Sequence, residues 1–230
     1  MNQATPPRVV GGPTPLWRLE KPERTTVFKM LQVSIAAATL AAGLSAYVSP
    51  AVAQTAPDAL VRQASVDVIE AAKTDKTVQA GDPKGVAALV DAKVLPHVNF
   101  EVMTRSAVGP KWREATPEQR TKLQAEFKTL LVRVYAGALA QITKEQTVEV
   151  KATQPVAGST QVVVQSEVRG KGEPIKLDYR LDKFDATWKI IDVNVGGLWL
   201  VQNYRSQFAG EITKGGIDGL ITTLAERNKS

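Results

Sequence analysis

From Gln146 to Val195 the apolar residues recur at every second position; beyond Gly196-Gly197 they recur every three or four. Side chains alternate between the faces of a strand and return to one face of a helix after about 3.6 residues, so the switch requires a sheet that hands over to a helix. Three runs alternate. Val148 and Val150 oppose Glu149 and Lys151; Val162, Val164 and Val168 share one side; Ile175, Leu177, Tyr179 and Leu181 oppose Lys176, Asp178, Arg180 and Asp182. A fourth run, Trp188 to Val195, is rich in β-branched residues and apolar on both sides, which predicts helical cover on both faces. Gly158-Ser159, Gly170-Lys171-Gly172 and Phe184 to Ala186 supply the turns. Gly196-Gly197 reads as a corner into a helix carrying Leu198, Val201, Tyr204 and Phe208 at helical spacing.

Before the strands the period is helical. Stripes over Asp58 to Lys73, Lys84 to Leu95 and Phe100 to Ala107 predict three helices, the second ended by Pro96, with Thr74 to Pro83 a polar loop. Thr116, Pro117 and Gln119 form a helix start for a long element carrying Leu123, Phe127, Leu130, Leu131, Val134, Tyr135 and Leu139. After the strands, Gly215-Gly216 opens a last segment with Ile217, Leu220, Ile221 and Leu224 on one side. Helices, four strands with short connections, then helices predict an α+β fold: a curved four-stranded antiparallel sheet with helices packed around it.

The first quarter does not belong to this domain. Lys21, Arg24 and Lys29 precede an uncharged, Ala-rich run from Met30 that ends in Ala51-Val52-Ala53. Basic region, apolar run and small-x-small site predict a signal peptide over residues 1–53, with an N-terminal extension and cleavage after Ala53; an uncleaved anchor is the alternative. Residues 54–230 then form a single domain.

Composition narrows the chemistry. The absence of cysteine excludes thiol catalysis and thiolate metal sites, and His97 as the only histidine argues against a zinc site. The net charge of +6 falls to about +3 without residues 1–53, and the basic residues are dispersed among acidic ones, so nucleic-acid binding is not supported. No GxxxxGK[ST] loop is present to cradle phosphates. His97 beside Asn99 and Glu101 is the nearest approach to an acid–base cluster, with nothing to establish an orienting partner. Asp178, Asp182, Asp185 and Asp192 read as a solvated sheet face and its turns. The excess lies in apolar positions: Val98, Phe100, Met103, Leu130, Val134, Tyr135, Leu198, Val201 and Tyr204 on the helical side, and Val148, Val150, Val162, Val164, Ile175, Leu177, Tyr179 and Leu181 on the sheet. Periodicity alone leaves open whether these fill a core or line a hollow one.

The stretches VLPHVNFEVMTRSAVGPKWREATPEQR (Val94 to Arg120) and KLQAEFKTLLVRVYAGAL, with the later VQNYRSQF and GGIDGLITTL, together resemble the MlaC or toluene-tolerance family of periplasmic phospholipid carriers, from about Asp58 to Leu224. The resemblance implies an NTF2-like fold whose helices and curved sheet enclose an apolar pocket, with the residues just named as its acyl-chain lining and phospholipid as its ligand. It implies no cofactor, metal or catalytic residue. The implied partners are an inner-membrane ABC transporter complex with its lipid-binding ring and an outer-membrane lipoprotein–porin complex. Between these the carrier would shuttle lipid and maintain outer-membrane lipid asymmetry. The alternative is a small-molecule enzyme on an NTF2-like scaffold, using His97 or Tyr179 with an aspartate. Two positions depart from the family pattern: Asn99 where Asp is common, and Trp199 where a small residue is usual. Trp199 is expected either to narrow the pocket mouth or to cover an outer face.

Overall fold

Helix α1 (Pro57–Thr74) opens on a proline, whose missing N–H is no loss in a first turn. It stops at Asp75, whose extended backbone ends the helix and whose carboxylate accepts from the N–H groups of Thr77 (2.8 Å) and Val78 (3.3 Å). The computed structural model describes residues 55–170 and 172–229; the expected leader over residues 1–53 lies outside them. The Asp75 cap starts a one-turn helix α2 (Lys76–Gln79) inside the stretch expected to be a polar loop. Helix α3 (Pro83–Leu89) does not end at Pro96. It widens into a π-helical turn over Val90–Val94 and tightens into a 3₁₀ turn over Leu95–His97, where Pro96 occupies an initial position needing no N–H.

The chain leaving this turn is pinned to the sheet, with Val98 bridging Ile190 and the Asn99 N–H donating to the Ile190 carbonyl at 2.9 Å. The Asn99 side chain then accepts from the N–H of Val102 at 3.1 Å and caps helix α4 (Phe100–Val108). Asn and Asp perform this office equally well, so an Asn here leaves the cap intact. A 3₁₀ turn, Gly109–Arg113, leads to helix α5 (Pro117–Ala140). Its capping box is complete: Gln119 N–H donates to Thr116 Oγ1 at 3.2 Å and Thr116 N–H to Gln119 Oε1 at 2.9 Å.

The sheet contains strands β1 (Thr147–Val150), β2 (Gln154–Pro155), β3 (Val162–Arg169), β4 (Ile175–Phe184), β5 (Thr187–Val195) and β6 (Leu198–Trp199). All pairings are antiparallel, in the order β1-β3-β4-β5-β6, with β2 beside β1 on the edge of β3. The four expected strands are present, and β2 and β6, two residues each, are additional. Strand β2 resumes β1 after a break, Lys151 N–H still donating to the Gln165 carbonyl at 2.9 Å. Strand β6 corrects the reading of the double glycine. Gly196 (φ 59°) and Gly197 (φ 94°) adopt the left-handed backbone of a tight hairpin, so Leu198 and Trp199 fold back onto Val195 and Asn194 before the helix begins. Helix α6 (Leu200–Arg227) follows, broken at Gly216 (φ 66°), beside the predicted boundary.

The register shifts between Arg180 and Leu181, so that Arg180 faces Asp192 while Leu181 faces Ile190. Ile191 is the extra residue of this bulge, and both isoleucines are buried. The core divides into three clusters. One gathers α4, α5 and α6 around Phe127, Tyr204 and Phe208. A second packs Leu60 and Val61 of α1 on Val150, Val164, Leu181 and Ile190 of the sheet. The third joins Ala72, Val78, Val86 and Leu89 to Val132 and Ala136 of α5.

Candidate functional site

The seams between these clusters are hollow. The first cavity, about 170 Å³, lies between the aromatic cluster and the α3–α5 cluster; Val86, Val90, Val94, Leu95, Val98, Phe100, Met103, Leu131, Val132, Tyr135, Leu139, Val193 and Leu200 line it, with Lys128. The second, about 210 Å³, lies between α1, the sheet and the end of α5; Ala64, Val68, Ile69, Val94, Leu139, Ile142, Val168, Leu177 and Ile190 line it, with Ser65, Lys93, His97 and Tyr179 as its polar fringe. Val94 and Leu139 line both, so the cavities share a wall. An apolar void of roughly 150 Å³ stays dry and accepts a molecule the size of benzene. The walls of the first cavity, and the apolar walls of the second, therefore favour hydrocarbon over water.

The helical geometry explains the lining. On α5, Leu131, Tyr135 and Leu139 are spaced four apart and turn one stripe toward the cavities, while Leu123, Phe127 and Leu130 point into the aromatic cluster. The π-helical and 3₁₀ turns form the lip. Val90, Val94 and Leu95 face the first cavity, and Lys93, Val94 and His97 the second. Lys128 Nζ meets Asp91 Oδ1 at 2.9 Å, tying this lip to α5.

Of the seventeen apolar positions singled out from sequence, Val98, Phe100, Met103 and Tyr135 come together in the first cavity, and Leu177 and Tyr179 in the second. Leu130, Val150, Val164, Leu181 and Tyr204 are buried in the clusters instead, and Val148 and Val162 pack against the sheet cluster. Val201 is partly buried in the first turn of α6 and lines neither cavity. Val134, Ile175 and Leu198 are surface residues, 53%, 49% and 52% exposed, and this corrects their placement in the lining. Val134 is one position off the Leu131–Tyr135 stripe, and Leu198 is carried outward by the hairpin. The apolar stripe over Lys84 to Leu95 also supplies lining, with Val86, Val90, Val94 and Leu95 at the first cavity, which its helical spacing does not distinguish from core.

Polar chemistry at the cavities is sparse. Tyr179 Oη lies 3.4 Å from Ser65 Oγ, and burial pushes the Tyr179 phenol up, as it does those of Tyr135 and Tyr204. His97 and Tyr179 do share a cavity, but the lining of neither cavity includes an aspartate or glutamate to orient a base.

Asp192 corrects the expectation of a solvated carboxylate. It is 3% exposed, accepts from the N–H groups of Val193 (2.9 Å) and Val201 (3.0 Å), and pairs with Arg180 at 3.5 Å. The Arg180 guanidinium lies 4.3 Å from the centre of the Trp199 ring. Trp199 lines neither cavity, and of its two expected positions it takes the outer one, over Arg180. Asp192 thus holds the first turn of α6, whose Leu200 closes the first cavity. Asp192→Ala is expected to cost about 1–3 kcal/mol by leaving two N–H groups without an acceptor, and Asp192→Asn less. Burial, outweighing the Val201 and Val193 N–H groups and Arg180, holds the Asp192 carboxyl above its ordinary value of 3.8. The folded protein then binds this proton more tightly than the unfolded chain, so the contribution is greatest in acid and declines as pH rises through the raised value. Urea midpoints from about pH 4 to about pH 7 should show the wild type losing ground to Asp192→Asn as pH rises.

The family profile described as MlaC protein matches residues 62–226. The intermembrane phospholipid transport system binding protein MlaC of Haemophilus influenzae is 24% identical over 180 residues, covering 76% of this chain and 84% of that protein. The toluene tolerance protein ttg2D of Pseudomonas putida is 25% identical over 176 residues, covering 76% of this chain and 81% of its own length. Among solved structures, the phospholipid-binding protein from Ralstonia solanacearum, in complex with a phospholipid, superposes with a TM-score of 0.71 at 44% identity, covering 77% of this chain and 98% of that one.

Proposed function

Because this chain belongs to the MlaC family, we propose that it is a non-enzymatic carrier that holds a phospholipid by its acyl chains in the two adjoining cavities, leaving the head group at the lip. The observation that carries this reading is the pair of apolar cavities sharing the wall Val94–Leu139. It is supported by the phospholipid complex of a protein 44% identical. Each buried methylene is worth about 0.8 kcal/mol, so a two-tailed lipid crosses water at useful rates only inside such a shelter. A cavity of benzene size holds roughly six carbons, so on this reading loading an acyl chain moves the cavity walls apart.

The mature chain, beginning at Gln54 after removal of the leader, works in the periplasm on this reading. It passes lipid between an outer-membrane lipoprotein–porin complex and an inner-membrane ABC transporter with its lipid-binding ring, and so maintains outer-membrane lipid asymmetry. The full chain, expressed with its leader and purified from the periplasm, should begin at Gln54. Organic extraction and mass spectrometry should then recover phospholipid. Protein that carries none, and takes none from phospholipid vesicles, would sink the proposal.

A further inference from the structure

Most arginines of the described residues are engaged. Arg62 and Arg133 donate to the carbonyls of Val150 and Asn228. Arg169, Arg180 and Arg227 pair with carboxylates, and Arg120 lies over the Trp112 ring. Arg105, Arg113 and Arg205 have none of these three kinds of partner among the described residues, and all three line a single trough of about 420 Å³. They come from three elements: α4, the Gly109–Arg113 turn and the second turn of α6. Ser106 and the buried Trp112 also line it, no acidic residue does, and it shares no residue with either cavity. The nearby Lys111 is already satisfied by Glu114 at 2.8 Å.

Three guanidinium groups gathered without a counter-charge repel one another, and their planar forks match carboxylate oxygens two at a time. We propose that this trough docks a carboxylate-bearing segment of a protein partner. A membrane surface fits it less well, because lasting attachment to lipid combines basic residues with inserted apolar side chains. The exposed large hydrophobics of the described residues, Val66, Val134, Ile175 and Leu198, all lie elsewhere. The inference goes beyond the carrier reading: it provides a docking point that leaves the cavities unobstructed.

The test uses the full mature chain, a fluorescein-labelled oligoglutamate peptide, and vesicles of phosphatidylethanolamine with phosphatidylglycerol. Fluorescence anisotropy should show peptide binding that weakens with salt. Combining Arg105→Ser, Arg113→Ser and Arg205→Ser should weaken it by about tenfold or more. A charge-matched control, Lys76→Ser with Lys84→Ser and Lys144→Ser, should retain it. On the unsubstituted protein, the arginine Nε–Hε resonances of these three residues should shift as peptide is added, which decides the matter even if the triple variant misfolds. Equal loss in the lysine control, unmoved arginine resonances, or arginine-dependent binding to vesicles alone would each overturn the proposal. Lipid recovered by extraction should be the same in wild type and arginine variant, so failure here is distinguishable from failure of the carrier reading.

Discussion

Phe127→Ala is expected to lower the free energy of unfolding by about 3–5 kcal/mol, the range for emptying a well-packed aromatic site. Phe127 is 0% exposed and stands at the centre of the helical cluster, its ring 5.7 Å from Phe100, 5.0 Å from Tyr204 and 5.2 Å from Phe208. The last two meet it edge-on, a geometry worth something beyond area alone. Three helices, α4, α5 and α6, meet on this one side chain, and none can close over the gap without moving the others. Urea unfolding followed by circular dichroism measures the loss, with Phe127→Leu as a milder comparison. A change near or below about 1 kcal/mol would show that the cluster re-packs and that Phe127 does not hold it together. Because Phe100 both touches Phe127 and lines the first cavity, the alanine variant should also lose lipid.

The second large effect concerns binding rather than stability. Val94→Trp should reduce the lipid recovered by extraction by about tenfold or more, since an indole at the shared wall takes up space that an acyl chain would occupy. Overpacking a filled core costs about 1–3 kcal/mol. Here the added atoms enter space already empty, so the lipid-free protein should unfold within about 1 kcal/mol of the wild type. Val66→Trp is the control, because Val66 is exposed on α1 and lines neither cavity. Undiminished lipid in Val94→Trp would mean that the acyl chains lie elsewhere.

Much of the fold was legible because the residues that make it repeat with the period of their own backbone. The strands, the Thr116 capping box and the apolar face of α5 are local patterns, and the structure keeps them. The hollow seams were not legible. A helical stripe reads the same whether a side chain or a void lies opposite it, so Leu130, which is packed, and Leu131, which borders the first cavity, could not be separated. Asp192 was misread for a related reason. Strict alternation would set Asp192 on the face of Ile190; the bulge at Ile191 turns it to the opposite face beside Arg180, and the hairpin then lays Trp199 and the start of α6 over it, neither of which a single strand's pattern shows. The arginine trough is similarly invisible in sequence: residues 105, 113 and 205 are gathered by the packing of α4 against α6.

One length of backbone, Val90–His97, fronts both cavities, so neither can be enlarged there without disturbing the other. On the carrier reading, a lyso-lipid must displace the whole lip yet shelters a single chain, whereas a diacyl lipid shelters two for the same displacement. On that reading the shared wall would favour a two-tailed ligand over a single-tailed one, with no contact to the head group required.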